Sequence, residues 1–134
     1  GHDTYVYSFG DGTDLIAENG SGTTDVLALT NILSSGVTFA RDLADKYDLV
    51  VTILGTSDTI TINNQLHPSL YGLEEIRFAG GETFGRAQLM DLAWYRGTAA
   101  SETIIGTSEN ETIIGGGGDD TLKGSIGDDT YIYS

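Results

Sequence analysis

Four carboxylates recur every nine residues toward the C-terminal end: Glu102, Glu111, Asp120 and Asp129. Each is sixth in a unit that opens on glycine, at Gly97, Gly106, Gly115 and Gly124. The seventh residue is always Thr, and the eighth is large and apolar: Ile104, Ile113, Leu122 and Tyr131. The units 97–105, 106–114, 115–123 and 124–132 follow one another without a gap. A carboxylate repeated at fixed register beside glycine-rich turns is oxygen-donor chemistry. It suits Ca²⁺, which takes about 6–8 oxygens at about 2.3–2.6 Å, better than Mg²⁺ with its tighter octahedron.

The spacing dictates the elements that must hold these groups. Positions one to six supply the positive-φ conformations of a tight turn. Positions seven to nine form a three-residue strand whose eighth side chain points inward, opposite its neighbours. Two units then make one turn of a flattened solenoid, and units n and n+2 stack. This predicts that Glu102 faces Asp120 and Glu111 faces Asp129 across the strand spacing of ~4.8 Å, repelling unless a cation lies between them. Asp120 and Asp129 are the leading ligand candidates, with turn carbonyls at Gly115, Gly117 and Gly124. Glu102 and Glu111 carry an extra methylene and are expected to ligate weakly or not at all through their side chains. Asp119 and Asp128, at the fifth position, read as solvent-side turn residues with carbonyls available.

The same phrase opens the chain. Residues 1–8, Gly-His-Asp-Thr-Tyr-Val-Tyr-Ser, align with residues 127–134, Gly-Asp-Asp-Thr-Tyr-Ile-Tyr-Ser, at an offset of 126, a multiple of nine. Asp3 and Asp14 fall at the acidic position and become ligands where a neighbouring coil completes their turns. The offset reads as about one module of a tandem array.

Other residue types offer less. His2 and His67 lack a ligand-spaced partner for zinc. Glu74 and Glu75 are adjacent on an expected strand, point to opposite faces, and so cannot flank one glycosidic bond. Trp94 and Tyr95 could stack on a sugar but fit a packing role better. No nucleophile triad or phosphate loop is visible.

Composition narrows the classes further. The chain has 134 residues, one domain's worth, with 20 acidic against 6 basic groups and a net charge of −14. That balance disfavours nucleic acid and anionic membrane surfaces as partners. Zero Cys rules out disulfides and thiolate metal sites. No apolar run approaches the ~20 residues of a membrane helix. Residues 1–31 carry five acidic groups and no Lys or Arg, residues 32–96 are nearly balanced at −3, and residues 97–134 carry −6. The ends are therefore acidic and glycine-rich.

Three segments follow within one continuous domain: degenerate repeat turns over 1–25, a distinct block over 26–96, and four repeats over 97–134. In the middle block, strands are expected in 26–33, 37–39, 48–53 and 75–78. A hairpin joins Asp48–Ile53 to Ile60–Ile62 through Gly55-Thr56-Ser57. Arg86–Tyr95 reads as one short helix with Leu89, Met90, Ala93 and Trp94 on one face.

Gly115–Lys123 matches in full the calcium nonapeptide Gly-Gly-x-Gly-x-Asp-x-U-x, with U large and apolar, and Gly124–Ile132 departs only at Ser125. The chain thus resembles RTX (haemolysin-type) repeat proteins. Gly36-Val37-Thr38-Phe39, Asp48–Thr52, Asp58–Ile62 and Leu73–Gly81 resemble the haemolysin-type calcium-binding-related domain. The resemblance implies an all-β fold: a parallel β-roll (β-solenoid) with longer irregular coils, a hairpin and one short helix. It implies Ca²⁺ as the ligand, no catalytic activity, export by type I secretion to the extracellular space or cell surface, and folding driven by calcium there. An affinity of ~10⁻⁴ to 10⁻³ M suits extracellular modules. Two other roles fit the same residues: a tandem repeat of a fibre, adhesin or surface layer that contacts neighbouring modules or copies end to end, and an accessory module of a secreted lipase, protease or epimerase.

Overall fold

The computed structural model describes residues 1–19 and 22–133. Among them the strands are β1 Thr4–Tyr7, β2 Asp14–Ala17, β3 Val26–Leu29, β4 Val37–Arg41, β5 Leu49–Ile53, β6 Thr59–Asn63, β7 Glu75–Arg77, β8 Thr83–Gly85, β9 Trp94–Arg96, β10 Thr103–Ile105, β11 Thr112–Ile114, β12 Thr121–Lys123 and β13 Thr130–Ile132. One helix, α1, spans Arg86–Leu92. Sheet order is β1-β3-β7-β8 in one sheet, β10-β12 in a second and β13-β11-β9-β4-β5-β6-β2 in a third.

The repeats form the expected roll. β10 pairs β12 in parallel, with Ile104 opposite Leu122, and β11 pairs β13, with Ile113 opposite Tyr131. Units two apart are therefore neighbours. Ile104 and Ile113 are buried, as eighth-position residues should be. Tyr131, on the last coil, is 51% exposed because no further coil covers it within the described residues.

The sheets are mixed. β4-β5 and β5-β6 are antiparallel, and so is β7-β8. Loop length explains this: parallel neighbours need a long crossover, while short connections can only reverse the chain. The β5-β6 turn uses Gly55 at φ 84, as a tight reversal requires. Leu49, Val51 and Ile53 alternate inward on β5 and meet Ile60 and Ile62 of β6. β8 is an addition to the expected elements, since Thr83-Phe84-Gly85 is too short to carry a period.

The helix is shorter than expected. It ends at Leu92, and Trp94–Arg96 is the strand β9. The apolar spacing of Leu89, Met90, Ala93 and Trp94 allows another turn. Pairing with β4 on one side and β11 on the other captures the segment instead. β9 is the seam between two cores. The larger holds residues from Tyr7 to Ala93, and the smaller is Tyr95, Ile104 and Ile113 with Leu122 packed against it.

Candidate metal centre

The opening glycine of each unit is needed because the sixth-position carboxylate folds back over it. A Cβ on Gly97 would strike the Gly115 backbone carbonyl first and also lie 2.7 Å from Glu102 Oε1, and one on Gly115 would lie 2.8 Å from Asp120 Oδ2. The turn of unit 115–123 then packs backbone on backbone against the turn of unit 97–105. Gly116 and Gly118 take φ 85 and 87, and a Cβ on Gly118 would come within 2.8 Å of the Ala100 carbonyl carbon. Gly117 is merely in ordinary contact with Ala99, 3.4 Å from Cβ to Cα, which is why the motif leaves that position open. In the last unit Ser125 takes φ 73, the one departure from the motif, at a cost of roughly 1–2 kcal/mol for a residue with a Cβ.

The carboxylates take two different postures. Asp120 Oδ1 accepts the Glu102 backbone N–H at 2.9 Å, and Asp129 Oδ1 accepts that of Glu111 at 3.1 Å. Glu102 and Glu111 instead reach back over their own turns. Glu102 accepts from the N–H and hydroxyl of Thr98 at 2.6 and 2.8 Å, and Glu111 from those of Thr107 at 2.8 and 2.6 Å. The stacked pairs expected to confront each other are thus held by N–H donors, because the longer glutamate arm reaches its own turn. Asp119 and Asp128 are exposed at the turn tips, and their N–H groups donate to Ser101 and to Asn110 of the coil before. The carbonyls of Gly115 and Gly124 point at the opening glycines Gly97 and Gly106. Every acceptor gathered in these turns is oxygen, and the opening glycines leave no room for a side chain beside the carboxylates. This donor set fits a hard cation such as Ca²⁺.

One turn receives a cation from the protein itself. Arg41, at the end of β4 with its side chain 2% exposed, lies 3.4 Å from Glu109 Oε2 and 3.9 Å from Glu111 Oε2. It also stacks over the Tyr95 ring at 5.3 Å and donates to the Lys46 carbonyl at 3.0 Å. Burial and the neighbouring Glu111 carboxylate push the Tyr95 hydroxyl above its ordinary range, with Arg41 opposing. The sequence reading missed Arg41, because nothing local to it marks a partner so far along the chain.

The reading also missed two members of the acidic ladder. The Asp3 N–H donates to Asp25 Oδ1 at 2.7 Å, and the Asp25 N–H to Glu74 Oε2 at 2.6 Å. This is the bond that joins Glu102 to Asp120 and Glu111 to Asp129. Asp25-Val26-Leu27 and Glu74-Glu75-Ile76 do carry the order acid, spacer, buried apolar residue, but at spacings other than nine. Loops inserted between the coils hide the period. The backbone N–H of Asp3 holds the buried Asp25 carboxyl below its usual range. Asp3, Glu18 and Asp25 bring one oxygen each within 4.8 Å of one another. Glu18 also accepts from the Tyr5 hydroxyl at 2.6 Å, which pushes that phenol up to about 12. Asp14 is exposed at the start of β2 and joins no such group among the described residues.

The remaining candidates have separate roles. Glu74 pairs with Arg86 and Glu75 with Arg77, so the two acids do not share a site. His2 Nδ1 accepts the Thr24 N–H, and His67 lies between Tyr47 and Tyr71. Tyr95 faces inward, while Trp94 lines an outer groove of about 450 Å³ under the Arg96 guanidinium. No helix among the described residues is long and apolar enough to cross a membrane.

Comparison with known proteins agrees with this geometry. Residues 48–88 match the haemolysin-type calcium binding protein related domain, and residues 96–132 match the RTX calcium-binding nonapeptide repeat in four copies. No curated protein matches the chain. The matched repeats contain all four sixth-position carboxylates and the glycine cradle, and such repeats bind Ca²⁺. The chain thus carries RTX calcium-binding nonapeptide repeats, their roll built onto a haemolysin-type calcium-binding-related domain.

Proposed function

We propose that this chain is a non-catalytic module of a secreted RTX-type protein, and that extracellular Ca²⁺ drives its folding. The ligands we assign are the carboxylates of Asp120 and Asp129 with turn carbonyls of their coils. Glu102 and Glu111 are excluded from strong ligation because Thr98 and Thr107 already engage their oxygens.

The observation that carries this reading is the size of the repeat core. Among the described residues, Tyr95, Ile104, Ile113 and the half-buried Leu122 are all the apolar core the roll has. So few side chains cannot offset the ordering of four glycine-rich turns. A net charge of −14 opposes compaction further. An ion that binds only the stacked turns supplies the missing free energy, so binding becomes folding. In a calcium-poor cytosol the roll stays loose, which suits export before folding.

The test is a calcium titration followed by far-ultraviolet circular dichroism and calorimetry, on the wild type and on the Asp120→Ala/Asp129→Ala variant. The expected result is a coil-to-sheet transition with measurable heat, lost in the variant. A chain fully folded in chelator, with no heat on adding Ca²⁺, overturns the reading.

A further inference from the structure

The phrase Asp-Thr-Tyr-x-Tyr occurs twice, in opposite surroundings. At β1, Tyr7 is 3% exposed and Tyr5 half-buried, because β3 lies alongside in parallel with Tyr5 opposite Leu27 and Tyr7 opposite Leu29. At β13, Tyr131 is 51% and Tyr133 100% exposed. Among the described residues β13 pairs only with β11 and forms the edge of the seven-stranded sheet. Beside it lies an open hollow of about 210 Å³ lined by Gly115, Gly116, Gly118, Leu122, Tyr131 and Tyr133, among others.

We propose that β13 serves as the first strand of a second copy of this module, whose β3 docks on it as this chain's own β3 docks on β1. The occupant is identified by the molecule itself: β3 is the surface that already fits this phrase. Moved by the offset of 126 residues, the register places Tyr131 against Leu27 and Tyr133 against Leu29 of the second copy. The ladder bond is waiting as well. The Asp3 N–H donates to Asp25, and the Asp129 N–H occupies the same place with no later coil to receive it among the described residues. β1 belongs to the four-stranded sheet and β13 to the seven-stranded one. Joined this way, the seven-stranded sheet of one copy runs into the four-stranded sheet of the next, and β12 meets the next β2. The roll continues with no unpaired edge at the junction.

The test is a chain in which residues 9–134 are repeated directly after Ser134, so that residues 127–134 stand in the second copy where 1–8 stand in the first. Hydrogen exchange in Ca²⁺ is compared with that of the single chain. Backbone amides of Asp129, Tyr131 and Tyr133, which stand where Asp3, Tyr5 and Tyr7 face β3, should exchange at least tenfold more slowly in the two-copy chain, while Thr130, already bonded to the Glu111 carbonyl, should change little. Tyr133→Ser at the junction should abolish that protection and lower the melting midpoint. In the single chain, where Tyr133 is fully exposed, the same substitution should change neither. Equal exchange in the one- and two-copy chains, with Tyr133→Ser silent in both, overturns the proposal. Whether calcium folds the module is read separately, from the sheet signal of the single chain.

Discussion

Two buried aspartates show how environment sets the worth of a charge. Asp25 is held ionised by the Asp3 N–H, and its carboxyl is lowered. Its stabilising contribution is present above the ordinary carboxylate range and is lost as pH falls through its lowered folded value. Asp48 is 8% exposed, and burial pushes its carboxyl up, only partly opposed by the Asn64 N–H at 2.8 Å. A raised acid favours the fold below its unfolded value and loses that contribution as pH rises through its folded value, so at neutral pH the charge is a burden. Asp48→Asn keeps an acceptor for Asn64 and removes the charge. It should raise the melting midpoint by a few degrees at pH 7, with the gain fading on acidification, whereas Asp25→Asn should lower the midpoint at pH 7. Melting curves across pH, in constant Ca²⁺, check both signs.

At the scale of the element, the stacked turn explains its own motif. Gly118 has positive φ and abuts the backbone of Ala100 and Ser101, while Gly117 has open space at ordinary contact distance. Gly118→Ala should cost about 1–3 kcal/mol through strain and displaced backbone. Gly117→Ala should stay within about 0.5 kcal/mol, as ordinary surface changes do. Chemical denaturation of both variants at saturating Ca²⁺ measures the difference, and equal losses would remove the stacking argument. The nine-residue period made these turns legible in the sequence, as did the alternation in β5 and β6. The end of α1 was not legible, because helical spacing and strand pairing both fit residues 93–96 and only the neighbours β4 and β11 decide between them.

At the scale of the whole molecule, acidic ends surround a more balanced middle, and the roll leans on that middle through Arg41 and Tyr95. If self-repulsion holds the chelated roll open, screening should relieve part of it. Added NaCl near 1 M, where the Debye length falls to about 3 Å, should recover some sheet signal in chelator. Millimolar Ca²⁺ should recover all of it, because a ligated ion supplies bonds as well as screening. A roll equally restored by sodium and calcium at equal ionic strength would reduce the metal to a counterion.

The sequence by itself determined the repeat, its glycine cradle, the parallel stacking of units two apart and the oxygen-only chemistry of the turns. All of these follow from contacts that recur at a fixed interval, and a period is visible in one dimension. Only the tertiary structure decided that Asp25 and Glu74 continue the acidic ladder, that the glutamates close on their own turns, and that Arg41 answers the charge of unit 106–114. Those contacts join residues separated by irregular loops or by most of the chain. Their partners are chosen by packing around β9, where two cores meet.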